Sequence, residues 1–464
     1  MLTTWFLSHF LLLLGFLLAI VVTVQMIRQR RSPAGSLAWL LAMVLVPYLG
    51  IPLYLMLGGR KVRRLAESKA ELQFPEQCSH PSDDNFEIDH LMRSFGLPAA
   101  CPGHQIKLLG SGEQGYAALV AMIEQARTSL WVSTFILHPD GVGQDIIERL
   151  SRQASAGVEV RVLLDGVGSL HTGKQALAPL IEAGGEVAFF MPVLHRPFRG
   201  RSNLRNHRKA VIADGQCVWA GGTNIANEYI GPNPDDHRWR DLSFVLEGPA
   251  VQQYRSIFCS DWQFTTGRKL SCPQLDPSDN NDITVGKGVV QVVPSGPDVS
   301  GDFLYSALIS AVFQAKKQIW IVTPYFIPDE TLVQALSLAA HRGVDVRVLV
   351  PEVSNHWLAD MARGPYLRDL QQAGGQIHLY QGGMVHGKAF LADNTLAVIG
   401  SANFDMRSLF LNYETGLLVY SEVEIQEIRE WIENLASNCR CGVPEVGVLR
   451  DLGEGVSCLL APIL

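Results

Sequence analysis

Two stretches of this 464-residue chain carry the same reactive groups: NHRKAVIADG, from Asn206 to Gly215, and VHGKAFLADN, from Val385 to Asn394. Each holds a histidine, a lysine two positions later and an aspartate five positions past the lysine. Alternate residues of a strand share one face, so His207 and Lys209 point the same way, as do His386 and Lys388. Each stretch runs into Asp-Gly or Asp-Asn, a hairpin signal, and then into a second apolar strand, CVWAGG or LAVIGS. That strand closes on Gly-Gly or Gly-Ser and presents Asn224 and Asn403, each seventeen residues past its histidine.

This set of side chains suits transfer of a phosphoryl-type group. A neutral imidazole can attack phosphorus and form a covalent phosphohistidine, dividing one difficult displacement into two easier ones. Lys209, Lys388, Asn224 and Asn403 can hold the non-bridging oxygens and oppose their charge. The leaving alkoxide also needs a proton, which the attacking histidine cannot supply. A second histidine, protonated and on the far side, can supply it and then act as base for the incoming hydroxyl. The duplicated motif is therefore expected to give one nucleophile and one acid.

The imidazoles need orienting. Glu414, in NYETGLLVY, and Asp241, in RDLSFVLEG, start matching apolar strands and are the candidate carboxylates that fix the tautomers and stabilise the cations. Asp214 and Asp393 complete the repeated motif and count among the candidate catalytic residues, although their position at turns favours a role in the hairpin. No His-Glu-x-x-His or comparable cluster occurs, so neither a metal nor a cofactor is expected.

Bringing two such hairpins together requires two similar frames, and the chain repeats itself accordingly. LVAMIEQARTSLWVSTFILHPD is answered by LISAVFQAKKQIWIVTPYFIPD, AGVEVRVLLD by RGVDVRVLVP, and IEAGGEVAFF by LQQAGGQIHLY. Each pair reads as helix running into strand. The expected fold class is α/β, with two similar halves, 105–285 and 286–464, related by a pseudo-twofold.

The front of the chain is different. Runs at about 4–26 and 35–57 are nearly free of charge and long enough for a pair of transmembrane helices. The second contains Pro47, Gly50 and Pro52 and can be kinked or re-entrant. Residues 1–65 are read as a membrane anchor and 66–104 as a polar linker. The first 70 residues carry a net +7 and the remainder −14, within a total of −7. A basic footprint for nucleic acid is thus missing from the large part, and the basic segments suit anionic lipid headgroups. More basic residues follow the second run than lie between the two, which favours a large domain facing the cytoplasm. Eight cysteines without metal-ligand spacing agree with a reducing side; Cys439 and Cys441 are read as incidental.

On these residues the chain resembles the bacterial cardiolipin synthases of the phospholipase D superfamily, whose hallmark is the paired His-x-Lys-x4-Asp motif. RNHRKAVIADG with GGTNIANEYIG, and HGKAFLAD with GSANFDMRSLFLNYE, carry the superfamily likeness. WRDLSFVLEGPAV and VQVVPSGPD carry it further, and the paired apolar runs, the second being SPAGSLAWLLAMVLVPYLGIPLYLMLGGRK, together with TPYFIPDE narrow it to the synthases. The likeness extends from about Ser32 to the closing LLAPIL.

The resemblance implies two phospholipase D-like halves, no cofactor, and a multi-pass enzyme of the bacterial cytoplasmic membrane. It implies that two phosphatidylglycerols, one donor and one acceptor, give cardiolipin and glycerol, with His207 attacking and His386 protonating the leaving glycerol. His138-Pro139 departs from the more acidic stretch expected there. A hydrolase using water, a transferase using another alcohol such as serine, a nuclease and a non-catalytic membrane scaffold are the rival readings.

Overall fold

The computed structural model describes residues 86–192, 204–270, 285–299 and 301–458, with isolated positions at 40, 41, 43, 69, 72 and 74. Both expected membrane helices lie outside the described residues, apart from positions 40, 41 and 43. Among the described residues no helix is long and apolar enough to cross a membrane. The chain divides into two units, Met1–Ser68 with Leu194–Leu204, and Lys69–Val193 with Arg205–Leu464. The second unit carries every candidate site residue, and the rest of this description concerns it.

Its first half contributes strands β1 (Cys101–Leu109), β2 (Ser129–Thr134), β3 (Glu159–Asp165), β4 (Glu186–Phe190), β5 (Ala210–Ala213), β6 (Cys217–Gly221) and β7 (Ser243–Glu247). The second half contributes β8 (Gly288–Ser295), β9 (Gln318–Val322), β10 (Phe326–Ile327), β11 (Asp345–Pro351), β12 (Gln376–Tyr380), β13 (Ala389–Ala392), β14 (Leu396–Gly400), β15 (Phe404–Asp405), β16 (Glu414–Val419) and β17 (Cys439–Cys441). Fifteen of these strands form one sheet. From its middle outward the first half runs β1-β7-β6-β5-β2-β3-β4, and the second runs β8-β16-β14-β13-β9-β11-β12-β17. The two orders correspond strand for strand, with β17 added at one edge. β1 and β8 pair antiparallel where the halves join, and β10 and β15 form a separate parallel pair.

The duplicated segments explain this layout. The helix Gly112–Gln125 leads into β2, and its counterpart Phe303–Gln314 leads into β9. The β-branched and aromatic runs SLWVST and QIWIV fit a buried pleated surface. β2, β3 and β4 are parallel, as are β9, β11 and β12, because helices return the chain between them. Two of those helices start alike. Asp140 accepts the Gly143 N–H, and Asp329 accepts the N–H groups of Thr331 and Leu332. The Pro-Asp pair after each strand is thus a helix cap, in the very stretch where His138-Pro139 departs from the expected pattern.

Each half buries its own apolar core. Leu119, Ile123, Val132, Val162, Leu180 and Trp219 belong to the first, and Leu304, Leu308, Ile321, Leu336, Val346 and Val348 to the second. Burial of each such side chain stabilises the half by about 1.5–3 kcal/mol.

Two expectations need correction. The stretch read as a linker is structured from Phe86 onward: the helix Glu87–Ser94 places Ile88 and Met92 in the second half's core, and β1 begins at Cys101. Its polar surroundings hid an amphipathic octapeptide. The cysteines are not all reduced either, since Cys101 and Cys259 are disulfide-bonded. Cysteine pairing depends on tertiary approach, which spacing does not report. Cys439 and Cys441 are free thiols on the edge strand β17.

Candidate active site

His207 and His386 precede β5 and β13, beyond the carboxyl ends of the parallel strands beside them. β5 runs antiparallel to β2 with Ala210 opposite Ser133, and β13 runs antiparallel to β9 with Ala389 opposite Val322. The backbone at each histidine is fixed by the other half. The His207 N–H donates to the Tyr413 carbonyl at 2.9 Å, and the Tyr413 N–H donates to the Arg205 carbonyl at 2.9 Å. On the opposite side the His386 N–H donates to the Arg240 carbonyl at 2.7 Å, and the Arg240 N–H to the Met384 carbonyl at 2.8 Å. These two short ladders cross between the halves.

The carboxylates cross as well. His207 Nδ1 lies 2.9 and 3.0 Å from the two oxygens of Glu414. His386 Nδ1 lies 2.6 Å from Asp241 Oδ2. Each histidine is therefore oriented by a carboxylate from the half that does not contain it. With Nδ1 so engaged, Nε2 of His207 is the ring nitrogen left for chemistry, while Nε2 of His386 stands 3.0 Å from Lys388 Nζ. Ser401 steadies Glu414 by donating to Oε2 at 2.5 Å. Its counterpart, Gly222, has no room for a side chain: a Cβ there would stand 2.4 Å from Asp241 Oδ1 and 2.9 Å from Lys388 Cδ.

Both lysines are buried beside their own histidines. Lys209 Nζ donates to the His207 carbonyl at 2.7 Å. Lys388 Nζ bonds the His386 carbonyl and lies 2.7 and 3.0 Å from the two ring nitrogens of His386. Asn224 and Asn403 are buried at the expected turns. Asn224 Oδ1 accepts the Ile136 N–H at 3.2 Å, and Asn403 donates to Asp405 Oδ2 at 3.0 Å. The Phe135 ring meets His207 edge-on at 4.9 Å, and the Tyr229 ring meets His386 edge-on at 5.0 Å. Sequence reasoning missed both aromatics, since no motif marks them.

A further missed group lies behind His207. Arg208 points to the other face of the strand from His207 and Lys209. It donates to Asp261 Oδ1 at 2.8 Å, to both oxygens of Asp298 at 3.0 Å and to the Glu414 carbonyl at 3.2 Å. Lys69 bonds the same two aspartates. Two cations and two anions thus close a buried lattice, which satisfies the charges at the cost of desolvating them. The available signal was the position of Arg208 itself: a charge facing inward from a buried strand requires counter-charges. Position 387 is glycine, and a Cβ there would stand 2.5 Å from Trp431, so among the described residues the second half has no equivalent lattice at this position.

The family model described as "Cardiolipin synthase, PLD-like domain" matches residues 119–262 and 308–436, the two halves that supply these crossed pairs. The chain belongs to the bacterial cardiolipin synthase family of the phospholipase D superfamily. A second model, "Phospholipase_D-nuclease N-terminal", matches residues 17–59. Cardiolipin synthase 1 of Bacillus anthracis is 34% identical over 429 residues, covering 88% of this chain and 84% of that protein. The major cardiolipin synthase ClsA of Bacillus subtilis is 32% identical over 485 residues, covering 98% and 99%. Among solved structures, a phosphatidylserine synthase from Haemophilus influenzae shares the fold at 15% identity, with a TM-score of 0.63 over 82% of this chain and 100% of that one.

As a member of the cardiolipin synthase family the chain is an enzyme, a phosphatidyltransferase. Two of its eight charged motif and carboxylate positions stand apart from the cluster. Asp214 and Asp393 lie beyond the far ends of β5 and β13, in the left-handed region at φ 52° and 53°. Asp214 accepts the N–H groups of Arg127, Thr128 and Ser129, and Asp393 those of Lys316, Lys317 and Gln318. Their inclusion among catalytic candidates is therefore corrected: they tie each hairpin to the start of the neighbouring strand. Asp393→Ala is expected to lower stability by about 1–3 kcal/mol while leaving kcat within about twofold, as read by thermal unfolding and turnover of the same preparation.

Burial holds the lysines and histidines of the site below their ordinary values. Burial brings the Lys209 ammonium down to about 7, against the attraction of Glu414. Burial likewise brings Lys388 down to about 8, against Asp241 and Glu414. Burial and then the Lys388 charge push His386 down to about 3, with Asp241 opposing. Burial also lowers His207, with Glu414 opposing. An anion placed among these groups favours their protonated forms. Protonated lysines bind the anion, so inorganic phosphate is expected to bind more weakly as pH rises through about 7 to 8. Calorimetry at pH 8 in buffers of different ionisation enthalpy is expected to show uptake of about one proton on binding; proton release would contradict this.

Proposed function

We propose that this enzyme joins two phosphatidylglycerol molecules into cardiolipin and releases glycerol, at the single site built by both halves. The observation that carries the reading is the crossed orientation of His207 by Glu414 and of His386 by Asp241. It leaves two Nε2 atoms, each with a buried carboxylate behind it and a lysine beside it. His207 is the nucleophile, the role that the superfamily resemblance gives to the first histidine.

His207 Nε2 attacks the donor's phosphorus and the bond from phosphorus to the glycerol oxygen breaks. That oxygen takes the Nε2 proton of His386, and glycerol leaves. Glu414 stabilises the charge that develops on the His207 ring. Lys209, Lys388, Asn224 and Asn403 hold the non-bridging oxygens. His386, now neutral, takes the proton of the terminal hydroxyl of a second phosphatidylglycerol. The resulting oxygen attacks phosphorus and the bond from Nε2 to phosphorus breaks, returning both histidines to their starting states. No metal or cofactor takes part in this scheme.

The match of residues 17–59 to the N-terminal family model and the two apolar runs support attachment to the bacterial cytoplasmic membrane. The excess of basic residues after the second run favours a cytoplasm-facing catalytic unit. The disulfide-bonded Cys101 and Cys259 favour the oxidising face instead. Protease accessibility of the second unit in sealed inside-out vesicles reads which side prevails.

The activity is tested by giving the purified chain phosphatidylglycerol vesicles in the presence of a chelator. Cardiolipin with equimolar glycerol is the expected product. Phosphatidic acid alone would replace the reading with a hydrolase, and no turnover would support a scaffold.

A further inference from the structure

Two loops, one from each half, lie beside aromatic rings of the site. Each leaves the carboxyl end of a parallel strand, the sheet edge where both histidines lie and where α/β sheets bind their ligands. The first follows β3. Its Ser169 Oγ donates to the Phe135 carbonyl and accepts the Leu137 N–H, and Phe135 is the ring that meets His207. The second follows β11. Its Asn355 accepts from the Tyr325 hydroxyl at 2.6 Å, and its His356 packs on the Tyr325 ring at 5.4 Å. Tyr325 is close enough to interact electrostatically with Tyr229, the ring that meets His386.

The inward ties of these loops are polar and aromatic, and both loops expose apolar side chains beside the exposed His171 and His356. Val167 and Leu170 project from the first loop, and Val353, Trp357 and Leu358 from the second and the helix start that follows it. Val353 is 72% exposed, Trp357 70% and Leu170 59%. Val167 and Val353 each come two residues after the strand end, so the exposure repeats with the internal symmetry. The first loop contains no acidic residue. In the second, Glu352 is paired with Arg440 and Asp360 with Arg363. Among the described residues, these two loops therefore present apolar groups without an unpaired negative charge to repel an anionic lipid surface.

We propose that these two loops form a rim that seats the catalytic unit on a phospholipid bilayer. Val167 and Leu170 of one half and Val353, Trp357 and Leu358 of the other enter the interface around the site mouth. The proposal rests on the reading of phospholipids as substrates and adds the surface that receives them. Apolar side chains buried at the headgroup boundary, with an indole among them, hold a protein at that depth. A headgroup phosphate then reaches His207 and His386 while the acyl chains stay in the membrane.

The test uses the full chain reconstituted into phosphatidylcholine vesicles, with two substrates: long-chain phosphatidylglycerol in the same bilayer and water-soluble dihexanoyl phosphatidylglycerol. Leu170→Asp combined with Trp357→Asp is expected to lower turnover of the bilayer substrate about tenfold and to leave the soluble substrate unaffected. Separately, vesicles with brominated acyl chains are expected to quench the wild-type chain more than Trp357→Phe. Equal losses on both substrates, unchanged turnover in the bilayer, or identical quenching of the two chains would overturn the proposal. A change of oligomeric size in the double variant would also overturn it, by assigning the face to a second copy. A wild-type chain that turns over neither substrate refutes the phosphatidylglycerol reading instead, and the quenching comparison then decides the rim by itself.

Discussion

His207→Ala and His386→Ala are each expected to reduce cardiolipin formation by about 10⁴-fold or more, and the two failures are expected to differ in kind. On the proposed roles, loss of His207 removes the nucleophile and with it the covalent intermediate. Without His386 the nucleophile remains, oriented by Glu414 at 2.9 Å, but the departing oxygen has no proton donor. A donor with a good leaving group, such as a p-nitrophenyl ester of phosphatidic acid, does not need that proton. On such a donor His386→Ala is expected to release one equivalent of p-nitrophenol in a burst and then stall, with the phosphatidyl group on position 207. Intact-protein mass and acid lability of the adduct read this directly. A burst from His207→Ala with an adduct at position 386 would reverse the assignment of nucleophile and acid.

The crossed carboxylates carry the second large effect. Asp241→Asn and Glu414→Gln are each expected to lower kcat by about 10³-fold with little change in KM, because a neutral amide cannot fix the right tautomer or stabilise an imidazolium. The phenotypes are expected to cross the chain. Asp241→Asn, a change in the first half, is expected to resemble loss of the second half's histidine and to be relieved by the activated donor. Glu414→Gln, a change in the second half, is expected to impair attack by His207 and not to be relieved. Burst size and rate on the two donors separate the cases. A pattern in which each variant matches the histidine of its own half would refute the crossed assignment.

Much of this was legible in the chain itself. The duplication, the hairpins, the shared face of each His-Lys pair, and Asn224 and Asn403 at equal offsets all follow from local periodicity, which residue order reports well. Asp241 and Glu414 could be named as orienting carboxylates because each stands at the head of an apolar stretch of matching shape, Glu414 opening β16 and Asp241 two residues before β7. Which histidine each one serves could not be read, because that pairing joins residues 145 and 207 positions apart. The lattice of Lys69, Arg208, Asp261 and Asp298 escaped for the same reason. Phe135 and Tyr229 look like any buried aromatic until the fold sets them against the histidines. The hairpin aspartates show the opposite case, since Asp214 and Asp393 share the motif but serve the turn.

Arg208 and Gly387 occupy the same place in the two copies of the motif, yet one anchors a buried charge lattice and the other only makes room for Trp431. Had the site been assembled from two identical chains, any change at that position would have appeared on both sides of the phosphorus at once. Joining the copies in one polypeptide lets mutation treat the two imidazoles separately. Covalent linkage thus permits the division of labour proposed here, one copy for attack and the other for proton transfer.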